Sequence, residues 1–170
     1  MRLTKLTWAA FLILGLAGCA GYRLGPTNGV AAGSKTIQVN FFRNATLEPR
    51  LVEAVAASLR KRLQQEGTYR LSSHGDGEIV VNGVITEFRR SELSLQPTDV
   101  ITVRDYTLYL KTKVTAIERS TGKIVLDREV LGRTTIRVGN DLASSERQAV
   151  PLLTDDLARN LTDLLVDGTW

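Results

Sequence analysis

The side chains able to do chemistry in this 170-residue chain are few and scattered. There is one cysteine, Cys19, and one histidine, His74. A nucleophilic thiol needs a base beside it, and His74 sits in the turn His74-Gly75-Asp76-Gly77 with no partner at metal-ligand spacing. It reads as an exposed loop residue. The chain has no Gly-x-Ser-x-Gly elbow and no phosphate-cradling glycine loop, and its acidic residues are spaced as solvated faces rather than as a catalytic pair. An enzyme is not expected, and no metal or diffusible cofactor is implied. What remains is acyl chemistry at Cys19 and anion binding by basic side chains. Arg89 and Arg90 lie where a strand runs out, and adjacent guanidinium groups can grip anionic groups bidentately. Glu87 and Glu92 stand close enough to neutralise them, so both readings stay open. Lys111 and Arg133 fall on the polar face of a later hairpin, and these four residues are the candidate anion-binding set.

Cys19 ends the stretch Leu16-Ala17-Gly18-Cys19, which follows a basic start (Arg2, Lys5) and an apolar run from Leu6 to Leu16. That is the pattern of a cleavable secretory signal, and it is shorter than the roughly 20 apolar residues of a spanning helix. Leu-Ala-Gly-Cys resembles the bacterial lipobox. The resemblance implies a diacylglyceryl group on the Cys19 thiol, cleavage before it, and acylation of the new amino group, with palmitate as the expected chain. Ala20, where an acidic residue would mark inner-membrane retention, favours the outer membrane. The expected organisation is a signal peptide over 1–18, a lipidated glycine-containing tether over 19–34, and one domain over 35–170. A lone cysteine leaves no disulfide framework. Arg2 and Lys5 would leave with the signal, lowering the formal charge of +4 to +2. That balance does not suggest nucleic acid, which favours a clustered basic stripe.

Thr36 to Phe42 alternates as a first strand. Pro49 to Gln65 carries Leu51, Val52, Val55, Ala56, Leu59 and Leu63 at helical spacing, with Gly67 as its C-terminal cap. Arg60-Lys61-Arg62 near that helix end reads as a solvated, dipole-complementing face. Tyr69 to Ser72 is a short strand. Glu78 to Phe88 is a strand apolar on both faces, after which Arg89-Arg90-Ser91-Glu92 leads into a loop ending near Pro97 and Asp99. From Ile101 to Val138 runs a long hairpin around Ser120-Thr121-Gly122, with Gly122 as the left-handed residue of a G1 bulge. That turn pairs Arg119 with Lys123 and predicts the neighbours Lys113 with Glu129, Tyr109 with Arg133, and Asp105 with Arg137. Lys111, opposite Leu131, is expected to keep a free charge. Ser145-Glu146-Arg147-Gln148 has the form of a capping box opening a second helix to Val166. The fold class is therefore α+β: a two-layer sandwich, with a mixed four- to five-stranded sheet and both helices on one face, in the order β-α-β-β-β-β-α. Its uncovered face is expected to be polar on the hairpin and apolar around Ile79, Val81 and Ile85.

Together, the lipobox, Gly21-Tyr22-Arg23-Leu24, the run Ile37-Gln38-Val39-Asn40-Phe41-Phe42-Arg43-Asn44-Ala45-Thr46-Leu47-Glu48-Pro49, Tyr69-Arg70-Leu71 and the Ser120-Thr121-Gly122-Lys123 turn resemble the LptE family of lipopolysaccharide-assembly lipoproteins. The resemblance spans nearly all of the chain after the signal. It implies a non-enzymatic partner and plug of the outer-membrane β-barrel LptD, anchored on the periplasmic side and contacting lipopolysaccharide on its way to the outer leaflet. Arg89, Arg90, Lys111 and Arg133 are candidates for that lipid by charge and position. The other reading is a periplasmic scaffolding lipoprotein of a secretion pore or cell-wall synthase, since similar turns occur in curli-secretion and TolB-like domains.

Overall fold

The computed structural model describes residues 32–96, 99–138 and 141–167. The signal, Cys19, most of the tether and Trp170 lie outside the described residues. The elements are β1 (Lys35–Val39), β2 (Arg43–Asn44), α1 (Leu51–Glu66), β3 (Tyr69–Leu71), β4 (Ile79–Gln96), β5 (Asp99–Glu118), β6 (Ile124–Arg137) and α2 (Leu142–Asp167). They make one mixed sheet in the order β3-β1-β4-β5-β6, with β2 paired to β4. β1 lies parallel to both β3 and β4, whereas β4, β5 and β6 form an antiparallel meander. The α+β class holds, with a curled sheet of six strands counting the two-residue β2.

The core is a single cluster in which Leu51, Leu59 and Leu63 of α1 and Leu153, Leu157, Leu161 and Leu165 of α2 meet Ile37, Ile85, Leu108, Leu110 and Val114 of the sheet. Both helices run in the same direction. Ser58 and Thr154 hydroxyls meet across them at 2.9 Å, and the Tyr69 hydroxyl at the far end donates to the Leu165 carbonyl. Helix α1 ends as its sequence requires, at Gly67 in the left-handed conformation with its N–H on the Leu63 carbonyl. Helix α2 starts a turn earlier than a box at Ser145 would place it. Asp141 caps it, its carboxylate accepting from the N–H groups of Ala143 and Ser144 at 2.8 and 3.1 Å. With those donors satisfied, Ser145 and Glu146 are inside the helix, and Glu146 turns toward the sheet.

Two expectations about β4 are overturned. It does not end at Phe88; it pairs with β5 through Arg89, Arg90 and Ser91 to Gln96, so the two arginines are strand residues rather than loop residues. Ile79, Val81 and Ile85 are buried under the helices, not on the uncovered face. The cause is a bulge between Ile85 and Glu87, where Thr86 is extra. One inserted residue exchanges the two faces of everything beyond it. Before the bulge the odd-numbered residues face the core; after it, the even-numbered Phe88 and Arg90 do. Gly83 belongs to the same core row, and a Cβ there would lie 2.5 Å from the Phe42 ring.

The hairpin register is as the turn requires. Asp105 pairs with Arg137, Tyr109 with Arg133 and Lys113 with Glu129. The pairs nearest the loop differ, and Ile117 lies opposite Ile124 rather than Val125. Gly122 donates to the Glu118 carbonyl and Glu118 donates to Lys123, so Glu118 rather than Arg119 faces Lys123, and an irregularity beside Ala116 restores the frame.

Candidate functional site

The face of the sheet away from the helices is the candidate site. Alternation places Glu87, Arg89 and Ser91 of β4 on it, with Asp105, Thr107, Tyr109, Lys111, Lys113 and Thr115 of β5 and the odd-numbered residues of β6. Each row crosses three strands: Glu87–Lys111–Leu131, then Arg89–Tyr109–Arg133, then Ser91–Thr107–Thr135. The face is a polar surface of charged and hydroxyl side chains with a few half-exposed apolar ones.

Its electrostatics centre on Glu87, whose carboxylate lies 3.2 Å from the Lys111 ammonium and 3.1 Å from Arg89 Nε. The hydrogen bond and charge of Lys111, with Arg89 adding to them, hold that carboxyl below its ordinary range. Lys111 is therefore not the free charge expected opposite Leu131; its partner comes from β4, on the other side of β5. The Tyr109 ring likewise takes its cation from β4. Arg89 stacks over it at 4.6 Å, and Arg133, the expected partner, points to solvent with no ion pair among the described residues. Arg89, Lys111 and Arg133 thus sit in adjacent rows with one carboxylate between them, leaving two net positive charges on an exposed sheet surface. Farther along the same face, Lys113 reaches diagonally to Asp127 at 2.9 Å instead of straight across to Glu129, and Arg137 meets Asp105 at 3.0 Å.

Arg90 is separated from the other three. It faces the helices, where Nε and a terminal nitrogen grip the two carboxylate oxygens of Glu146 on α2. Glu146 is nearly buried, and this fork ties the sheet to the second helix. Glu146 has the position of a cap partner in the sequence, but its place one turn before Val150 and two turns before Leu153 in the apolar stripe is the signal that it faces inward.

Among the described residues no group of His, Cys, Asp and Glu is arranged to hold a metal ion. No helix there is long and apolar enough to cross a membrane. The face can bind anionic groups and hydrogen-bond a polar wall. Among its described residues no nucleophile and base are in contact.

Solved structures share the fold at low identity. A hypothetical protein from Chlamydia trachomatis superposes with a TM-score of 0.60 at 12% identity, covering 81% of this chain and 98% of that one. A minor lipoprotein from Acinetobacter baumannii gives 0.52 at 16%, covering 78% and 93%. A protein from Xanthomonas campestris gives 0.55 at 11%, covering 86% and 95%. No curated protein sequence matches the chain. The family model for LptE, described as lipopolysaccharide-assembly, matches residues 34–167, and a match over that much of the sequence means that this chain belongs to the LptE family.

Proposed function

We propose that this chain is a lipid-anchored, non-enzymatic lipoprotein of the outer membrane. It partners a barrel of the LptD type, sits with its uncovered sheet face toward the barrel's polar lumen, and contacts lipopolysaccharide through that face. The observation that carries this reading, beside family membership, is the helix-free face itself. A plug for a barrel lumen has to be polar where it meets the wall, and this face presents charge and hydroxyl groups over three strands. Arg89, Lys111 and Arg133 are assigned to the anionic lipid, since together they outnumber the one carboxylate beside them. Arg90 is assigned to the fold, because its guanidinium is engaged by Glu146.

Two experiments test the two halves. Affinity purification of the full chain in mild detergent should bring down a large barrel protein in stable one-to-one complex; recovery of a secretion pore or a cell-wall synthase instead would favour the scaffolding alternative. Replacing Arg89, Lys111 and Arg133 together by glutamine should weaken lipopolysaccharide binding, with the deficit largest at low salt, where surface charge is least screened. Unchanged binding at low salt would overturn the lipid assignment.

A further inference from the structure

Two margins of the sheet are treated differently. At the β6 end, α2 lies over the outer edge. Gly132 lets the helix approach so closely that a Cβ there would meet the Leu153 carbonyl at 2.8 Å. From that position Asn160 donates to the Leu131 carbonyl at 2.8 Å, and Asp156 accepts the Arg133 N–H at 2.9 Å. Those backbone groups point away from β5 and are occupied by helix side chains. This is how folded proteins block a sheet edge against strand addition.

Strand β4 has an edge that is not blocked. On the side opposite β5 it pairs with β1 through Val81 and with β2 through Ile85, and the last bond there runs from the Ala45 N–H to the Ile85 carbonyl at 2.9 Å. Residues on one face of a strand turn their N–H and C=O to the same side. Val81 and Ile85 face the core and bond toward β1 and β2, so beyond the bulge the core-facing Phe88, Arg90 and Glu92 turn theirs to the same open side. No described residue bonds to them there. The space beside them is an open trough made of two adjoining hollows of about 510 and 690 Å³ that share Glu48, Phe88 and Arg90. Leu47 on its rim is fully exposed. The Arg90 side chain, which could have covered the edge, is drawn onto Glu146 instead.

We propose that this edge, Phe88 to Glu92, is a docking site for an extended segment of a partner polypeptide that adds to the sheet as a strand in line with β2. Alternating free donors and acceptors are matched by an extended backbone. The larger hollow sets Arg50, Arg90 and Arg147 against Glu48 and Glu146, a positive balance, with Phe88 and Val150 supplying apolar wall. The segment that fits alternates carboxylate with apolar side chains. A second copy of this chain fits less well, because antiparallel pairing of this edge with itself centred on Arg90 would bring that arginine against its own counterpart. The proposal names the kind of segment and its docking edge, and it does not depend on lipid binding by the opposite face.

The test uses the full chain in detergent and a random decapeptide library displayed on phage. Selected peptides should alternate acidic and apolar residues and slow hydrogen exchange at the Phe88, Arg90 and Glu92 amides. Glu92→Pro removes one outward N–H without breaking a bond to β5, as proline is tolerated on a strand edge. It should weaken the selected peptides roughly fivefold, the cost of one hydrogen bond. Arg50→Glu, at an exposed helix start where an acidic residue is favoured, should weaken them by a similar factor while leaving the melting temperature unchanged or raised. Peptides without that pattern, binding unaffected by both variants, or protection elsewhere would overturn the proposal. Protection of the same amides that rises with protein concentration in the absence of peptide would replace the partner by a second copy.

Discussion

Replacing Gly132 by alanine tests how α2 is seated, because the two effects of a methyl group there have opposite signs. In a strand with room for it, alanine stabilises relative to glycine by roughly 0.5–1 kcal/mol through the lost freedom of the unfolded chain. At Gly132 the added Cβ would stand 2.8 Å from both the Leu153 carbonyl oxygen and the Leu157 Cβ, and 2.9 Å from the Leu157 nitrogen. Two of those three atoms are helix backbone, and the third is fixed to it, so no rotamer change relieves the contact. Either α2 lifts from β6 or the strand bends. Overpacking of this kind costs about 1–3 kcal/mol. The difference is a net loss of about 1–2 kcal/mol, or a drop in melting temperature of roughly 4–8 °C for a domain of this size. Thermal denaturation of the purified domain measures it, and hydrogen exchange adds a local readout: the Arg133 amide, which donates to Asp156, should lose protection before the core amides do. A melting temperature that rises would show that the helix does not press on the strand, and the account of the blocked edge would go with it.

Three further outcomes are expected. Arg90→Ala and Glu146→Ala should each destabilise the domain by about 1.5–3 kcal/mol, as for hydrogen bonds to charged groups, and a double-mutant cycle by urea denaturation should recover most of that as coupling; additive losses would contradict the fork. Asp141 is held below its ordinary range by the Ser144 hydroxyl first, then by the Ala143 and Ser144 N–H groups and the charge of Arg147. A carboxyl lowered in the folded state adds stability above its unfolded pKa of about 4 and loses it as pH falls through the folded value, so Asp141→Asn should flatten the acid limb of a stability–pH curve below about pH 4, and an unchanged limb would exclude the cap. Cys19→Ser should release the protein from the membrane fraction on cell fractionation while the purified domain melts as before; a shifted melting point would mean that anchor and fold are not separable.

The hairpin was legible because its information is local. A turn with glycine at the left-handed position sets the frame, and strict alternation from Asp105 to Ala116 leaves one face for the core. The same alternation misled at β4, where the residues from Ile79 to Phe88 are apolar on both sides of the pleat and nothing marks Thr86 as extra. Having lost the frame there, a reader assigns Ile85 to the wrong face and ends the strand too soon. The partners of Lys111 and Tyr109 were missed for a related reason: a strand has two neighbours, and a turn discloses only the one it joins. The cap of α2 was legible in principle, since Asp141 lies one turn before Ser145 and is itself a favoured cap residue; the Ser-x-x-Gln spelling hid it. Glu146 and Asn160, whose roles depend on which backbone lies across from them, left no mark that spacing alone reveals.

The position of α2 at the end of the sheet also has a kinetic side. Strands β4, β5 and β6 are consecutive and pair locally, so they can assemble soon after they become available, whereas β1 must be inserted between β3 and β4 from far back in the chain. Helix α2 is made after all of them, yet it supplies half of the apolar layer and the side chains that occupy the β6 edge. A chain made from its N-terminus therefore carries an uncovered β6 margin in addition to the open edge of β4 until its final helix is available, and the β4 edge thereafter. The interval between those states, set by the delivery of residues 142–167, is when self-association competes hardest with folding.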